Sequence, residues 1–364
     1  MSFRKIDYLE WARTFMGRSR CDLARANLKH FTHEDLGLTL ADIDLTIPDE
    51  QGHEELRAFI ARRHGVPPAR VYVSNGATQG IFLTCAATLE RNDEVILESP
   101  NYEPLYRMPL EMGANVKMLD RRFERGWQID LEELERRVSR GTRAIIMTNV
   151  HNPSGAATNP EKMRTIGQIA RSSGARVIVS EVYLDNAFAP GHKPAASYGD
   201  HMISLGSLSK VYGLGALKIG WIVGPEDVIE RVKVIQDYVV GGLGGPQQSI
   251  ALAALRKSEP LLARSRETIQ RSVRIVAEWM KKHEEVRWVE PEGGTVCMLK
   301  LPPHVDALEL STVLREKHGT LVVPGDFFWI KGFIRVSLGV DEDVLRTGLR
   351  NIAAVIDQLS SPKP

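Results

Sequence analysis

Two lysines, Lys210 and Lys218, stand eight residues apart in GSLSKVYGLGALKIGW, residues 206–221, among small and apolar neighbours. Lysine is seldom fully buried without a partner, so the setting asks what these amines face. A desolvated amine has a lowered pKa, and its neutral form attacks a carbonyl carbon. Ser207 and Ser209 lie just upstream of Lys210 and suit a phosphate, with Lys218 as a further positive charge. The alternative is a surface loop with two ordinary lysines, and this stretch alone does not separate the two readings.

Five further stretches offer groups of the same kind. SNGATQG, residues 74–80, follows a β-rich run and opens a helical one. Its amides and the Thr78 hydroxyl suit an anion at a helix N-terminus. Its spacing fits neither a Walker A loop nor a GxGxxG fingerprint, and a plain strand-to-helix turn accounts for it equally well. ESPNYEPLY, residues 98–106, offers Tyr102 as a cover for a flat ring or as a core aromatic. NVHNPSG, residues 149–155, sets the Asn152 amide at a strand end, where a turn is the simpler explanation. SEVYLD, residues 180–185, brings Ser180, Tyr183 and the carboxylates Glu181 and Asp185. GFIRVSLG, residues 332–339, places Arg335 inside an apolar strand. An unpaired charge is expensive there, and a guanidinium binds a carboxylate bidentately.

The elements that position these groups show in the hydrophobic pattern. From about residue 70 to 224, β-rich runs (70–74, 93–99, 115–119, 143–150, 176–183, 201–206 and 219–224) alternate with helical periods. Several runs are apolar on both faces, as in strands covered by helices on both sides. The pattern predicts a doubly wound α/β layer with a mostly parallel sheet, in which ligands sit at the carboxyl ends of strands. The C-terminal third predicts a long helical region at 246–284, a small antiparallel sheet, a helix near 306–317 and a closing amphipathic helix. The expected organisation is an N-terminal segment, 1–45, packing with the small domain; a large domain, 46–245; and a small α+β domain, 246–364.

Composition narrows the function classes. The chain has 364 residues and a formal net charge of +1. No acidic or basic block stands out, which argues against nucleic acid and anionic membranes as partners. No apolar run approaches the ~20 residues of a spanning helix. Cys21, Cys85 and Cys297 lie far apart, with neither metal nor disulfide spacing, and a reducing cytoplasmic compartment is the expectation. His30 and His33 lack further ligands in register, so no metal is expected. The acids of EDLGLTLADIDL, residues 34–45, read either as receivers of a basic side chain or as a solvated face.

Taken together, HNPSG, SLSK with a basic residue eight further on, and IRVSLG resemble the fold-type I pyridoxal-phosphate (PLP) enzymes, in particular the class I/II aminotransferases. The likeness runs from about residue 20 to the C-terminus. CDLARANLKHFTHEDLG also looks faintly like the capreomycidine-synthase-like and archaeal branches. The resemblance implies a three-layer large domain with a mostly parallel seven-stranded sheet, a smaller α+β C-terminal domain, pyridoxal 5'-phosphate as cofactor and a homodimer. It implies that Lys210 forms the internal aldimine and serves as general base. Ser207, Ser209, Ala77, Thr78 and Lys218 match phosphate-side positions. Asn152 and Tyr183 match the pair on the ring's phenolic oxygen, Tyr102 the stacked aromatic, and Arg335 the clamp on the substrate α-carboxylate.

Two departures from the pattern matter. The family motif Asp-Glu-x-Tyr reads Ser180-Glu181-Val182-Tyr183 here, so no anion faces the ring nitrogen at 180. Glu181 is its strand neighbour and points to the opposite face. Lys218 stands where the family has arginine, keeping the charge without the planar fork. A third, softer departure is TIPDEQG, residues 46–52, which lacks a clear match for the tyrosine that reaches a neighbouring subunit's phosphate in many relatives. The expected activity is amino transfer between an α-amino acid and a 2-oxo acid. The alternatives are another PLP reaction (racemisation, β-elimination or cyclisation) or a catalytically idle PLP-binding protein.

Overall fold

The computed structural model describes residues 3–46 and 52–360, so most of TIPDEQG lies outside the described residues. Seven strands form the larger sheet: β1 (Val71–Asn75), β2 (Glu94–Ser99), β3 (Asn115–Asp120), β4 (Thr142–Thr148), β5 (Arg176–Ser180), β6 (Met202–Ser207) and β7 (Ile219–Val223). Their spatial order is β1-β7-β6-β5-β4-β2-β3. All pairings are parallel except those of β7, which runs antiparallel to β1 and β6.

The doubly apolar strands arise because each face has its own helical cover. Ile145, Met147, Val177 and Val179 pack with Met163, Ile166 and Ala170 of the helix Pro160–Ser173. Their alternate neighbours Ala144, Ile146 and Ile178 turn the other way, onto Ile81 and Leu83 of the helix Gly76–Thr88 and Val228 and Val232 of the helix Glu226–Asp237. The period-two alternation survives, but both phases are apolar. The helix Pro160–Ser173 starts at an Asn159 cap and stops at Gly174, whose φ of 79° favours glycine.

Two boundaries differ from the sequence reading. The run 176–183 is strand only to Ser180, and Tyr183 follows in a turn whose backbone bonds, such as Leu184 N–H to Glu181 O at 3.0 Å, replace the ladder. The region 246–284 is two helices, Gly245–Arg256 and Ser258–Met280. They part at Lys257, whose ammonium donates to the carbonyls of Leu36 (2.9 Å) and Gly37 (3.0 Å).

The smaller sheet is antiparallel, in the order Val323–Pro324, Phe333–Ser337, Val296–Lys300, Arg287–Trp288. Ile269, Val276, Leu310, Leu349 and Ile352 cover it from the helices Ser258–Met280, Ala307–His318 and Glu342–Ser360. The N-terminal chain touches both parts. Its helix Asp7–Phe15 has its first amides held by the buried Glu103 carboxylate, with Tyr8 N at 2.6 Å. Cys21–Asp22 then pairs in parallel with Thr320–Leu321. All three cysteines are free and buried. Among the described residues, no helix is long and apolar enough to cross a membrane.

Candidate active site

The carboxyl ends of β1, β4, β5 and β6 open into one cavity of about 770 Å³. Every site residue named from the sequence lines it: Ala77, Thr78, Tyr102, Asn152, Ser180, Tyr183, Ser207, Ser209, Lys210, Lys218 and Arg335. Its cations are Arg25, Lys210, Lys218 and Arg335, and no Asp or Glu is among the described lining residues. The site is built for anions.

At one end lies the start of the helix Gly76–Thr88, whose first amides have no partner within the helix. Strand register brings the other groups to it. Asn75 pairs with Ile219, and Gly220 pairs with both Ser74 and Ser207. Lys218 therefore sits directly beside the helix start and Ser207. Gly220 makes this approach possible: a Cβ there would fall 2.8 Å from Ala77 N and 2.6 Å from Gly76 C. Helix-start amides, the hydroxyls of Thr78, Ser207 and Ser209, and one ammonium thus line the same cavity and suit an anion.

Lys210 stands just past the end of β6, partly buried, with its Nζ donating to Asn27 Oδ1 at 2.8 Å. Burial lowers its pKa to about 7, and the Arg335 and Lys218 charges push the same way. The Tyr183 phenol is buried and its oxygen has no hydrogen-bond partner among the described residues. Burial raises its pKa to about 12, so it remains a donor at neutral pH. A buried hydroxyl without a partner is expensive unless a ligand supplies one.

Arg335 is almost completely buried, and no Asp or Glu shares its cavity lining among the described residues. Its guanidinium donates to Asn152 Oδ1 (3.1 Å), Tyr8 Oη (3.0 Å) and the Ala24 carbonyl (2.9 Å), while Nε makes no bond. Its Cζ lies 4.9 Å from the Phe328 ring centre. PGDFFW, residues 324–329, therefore backs the arginine, with Phe327 and Phe328 packed around Tyr8.

Ser180 ends β5 directly beside Thr148 at the end of β4. The Thr148 hydroxyl is committed, donating to the buried Glu98 and accepting from Asn152 N–H. Ser180 lines the cavity here, and its hydroxyl, unlike that of Thr148, is not tied to a neighbouring side chain among the described residues. Glu181 points away: its carboxylate accepts from Ala195 N at 2.7 Å, and burial raises its pKa to about 8. It is no substitute for an acid at 180. Asp185 also lies outside the cavity lining, bonded to Tyr212 Oη and Arg63. Glu34, Asp35, Asp42 and Asp44 do not line the cavity either, and the last three bond within their own turns. His30 lines the cavity with Nδ1 3.2 Å from the Gly213 carbonyl. Among the described residues no cluster of His, Cys, Asp and Glu is set to hold a metal.

Sequence reasoning missed Tyr8, Asn27 and Thr148. Tyr8 and Asn27 come from the N-terminal chain and meet partners 327 and 183 residues away, respectively. The only sequence hint was Asn27 itself, a neutral polar residue between Ala26 and Leu28.

The donors present fit a phosphorylated aldehyde ring: a lysine with a near-neutral pKa, an unpartnered phenol, a helix N-terminus with added charge, and an aromatic cover in Tyr102. The chain belongs to the aminotransferase class I and II family, whose model matches residues 30–352, and it is a PLP-dependent enzyme. It is 28% identical to capreomycidine synthase of Streptomyces vinaceus over 97% of this chain and 93% of that protein. Among solved structures it is similar to a PLP-dependent aminotransferase from Streptococcus suis (TM-score 0.92, 25% identity, 100% of both chains). A PLP-dependent cyclase matches with a TM-score of 0.89 and 26% identity over 98% of each chain.

Proposed function

We propose that this enzyme transfers an amino group between an α-amino acid and a 2-oxo acid. One observation carries the reading: the Lys210 amine and the Arg335 guanidinium open into the same cavity, whose described lining has no Asp or Glu. PLP, when bound, supplies an aldehyde for the amine and a ring that accepts electrons from the substrate α-carbon. The helix start at Ala77 and Thr78, with Ser207, Ser209 and Lys218, holds the phosphate. Asn152 and Tyr183 would donate hydrogen bonds to the phenolic oxygen of the bound cofactor, and Tyr102 would cover its ring. Arg335 clamps the α-carboxylate and so fixes which bond at the α-carbon faces Lys210.

Lys210 Nζ moves the α-proton. A pKa of about 7 leaves much of the amine neutral at physiological pH, so Nζ accepts a proton readily and gives it back. The cations Arg335 and Lys218 maintain that state by disfavouring a third charge. Burial of Tyr183 and Arg335 keeps bulk water from competing for the polar contacts.

Ser180 motivates a second reading. A hydroxyl shares a hydrogen bond with the ring nitrogen but does not pair with it as an ion, which weakens the electron sink. A weaker sink favours reactions that return the proton without completing transfer, and the similarity to a PLP-dependent cyclase points the same way. Incubation with single amino acids and 2-oxo acids, followed by product analysis, decides between them. Amino transfer predicts a new amino acid and a new 2-oxo acid in equal amounts. A racemised, cyclised or eliminated product with no amination of the added 2-oxo acid selects the second reading.

A further inference from the structure

The short strap Asp22–Leu28 ties together the two groups that the reaction needs. Its Leu23 carbonyl accepts from Ser337 N at 2.8 Å, and its Ala26 carbonyl accepts from Thr295 Oγ1 at 2.7 Å. The Ala24 carbonyl accepts from the Arg335 guanidinium at 2.9 Å. Leu28 N–H then donates to the Lys210 carbonyl at 3.4 Å, and Lys210 Nζ donates to Asn27 Oδ1 at 2.8 Å. Lys210 is therefore held by this strap at both its main chain and its amine.

The place of Asn27 is shaped by missing side chains. A Cβ on Gly215 would come within 3.3 Å of Asn27 Nδ2, and a Cβ on Gly339 within 2.7 Å of the Asn27 carbonyl. Two glycines from distant parts of the chain thus leave room for one asparagine. Asn27 Oδ1 is the hydrogen-bond partner of the amine, and it is neutral.

We propose that Asn27 is a positioning residue that holds the free Lys210 amine through one N–H, leaving its lone pair turned into the cavity. The inference rests on Lys210 being the reactive amine. A neutral amine has two N–H bonds and one lone pair, and an amide carbonyl takes one N–H without contributing a charge. A carboxylate in the same place would form an ion pair and keep the amine protonated, removing the lone pair. The choice of asparagine thus matches the setting that lowers the amine's pKa, which is burial first and then the charges of Arg335 and Lys218. Because Ala24 holds Arg335 three residues upstream, the strap also fixes the spacing between the amine and the carboxylate clamp.

The test uses the full-length chain freed of cofactor, with Asn27→Asp and Asn27→Ala. The pH dependence of Lys210 acetylation by acetic anhydride is read by peptide mass spectrometry, alongside the rate of pyridoxal-phosphate capture at pH 7. An opposite charge in contact raises an amine pKa by about 1–3 units. Asn27→Asp should move the modification midpoint up by at least about one unit and slow capture about tenfold or more. Asn27→Ala should leave the midpoint unraised and slow capture. The Asp variant is nearly isosteric and carries the test if the Ala variant does not fold. Midpoints within about 0.2 units of wild type in the folded variants, with capture unchanged, overturn the role of Asn27. A wild-type chain that never captures the cofactor on Lys210 instead overturns the reading of the site.

Discussion

Arg335→Met removes a cation buried without an acid, and its effects on stability and on binding should separate. Bringing an ion out of water costs several kcal/mol even after relaxation. The bonds to Asn152, Tyr8 and Ala24 return on the order of 1.5–3 kcal/mol each, since the donor is charged. The two sums overlap, so the methionine variant should keep its cofactor-free stability to within about 4 kcal/mol. The substrate side is one-sided. Two charge-assisted bonds to an α-carboxylate are worth about 3 kcal/mol or more, hence a rise in KM of ~10²-fold or more. Losing the like charge should also raise the Lys210 pKa, because Arg335 is one of the groups that lower it. Thermal unfolding of the cofactor-free chain and steady-state kinetics read the two sides. A stability loss beyond about 4 kcal/mol with an unchanged KM would make Arg335 a structural cation and refute the reasoning.

Other changes follow from the same geometry. Ser180→Asp buries a carboxyl beside Glu181, whose own pKa burial raises to about 8. The cofactor-free variant should lose about 1–3 kcal/mol at pH 8, recover it with cofactor bound, and transfer the substrate α-proton faster in a stopped-flow half-reaction; an unchanged rate would mean that another group manages the ring nitrogen. The Lys210 amine titrates at about 7 in the folded chain against an ordinary lysine value of 10.5, so between these values the unfolded chain binds more protons. Its penalty is complete below pH 7 and disappears as the pH rises towards 10.5. Glu181 has the opposite slope between 4.5 and about 8, so the clean window lies above pH 8. Denaturant titrations at pH 8.5 and 10 should show wild type gaining stability relative to Lys210→Met; parallel curves would mean that the amine is not desolvated.

The sheet and the residues at its strand ends were legible because each motif is local. A strand end, its turn and the following helix are contiguous, so Thr78, Asn152, Tyr183 and Lys210 could be placed from a few neighbours each. Ser180 and Glu181 were separated by the period-two rule alone, and Glu181 turns away to the Ala195 amide. What stayed hidden is contributed from far away in sequence. Tyr8 has a meaning only through Arg335, and Asn27 only through Lys210. Neither pairing leaves a periodic trace. The helix break at Lys257 was hidden for a related reason: its carbonyl partners belong to the N-terminal segment. The commitment of the Thr148 hydroxyl to Glu98 likewise depends on the spatial neighbour relation of β2 and β4.

The central claim is a covalent attachment through one side chain. Purified protein loaded with pyridoxal phosphate, reduced with borohydride and digested should yield a single modified peptide, with the added pyridoxyl mass on Lys210. A modified Lys218 or surface lysine, or no modified peptide from protein shown to contain the cofactor, would contradict the account.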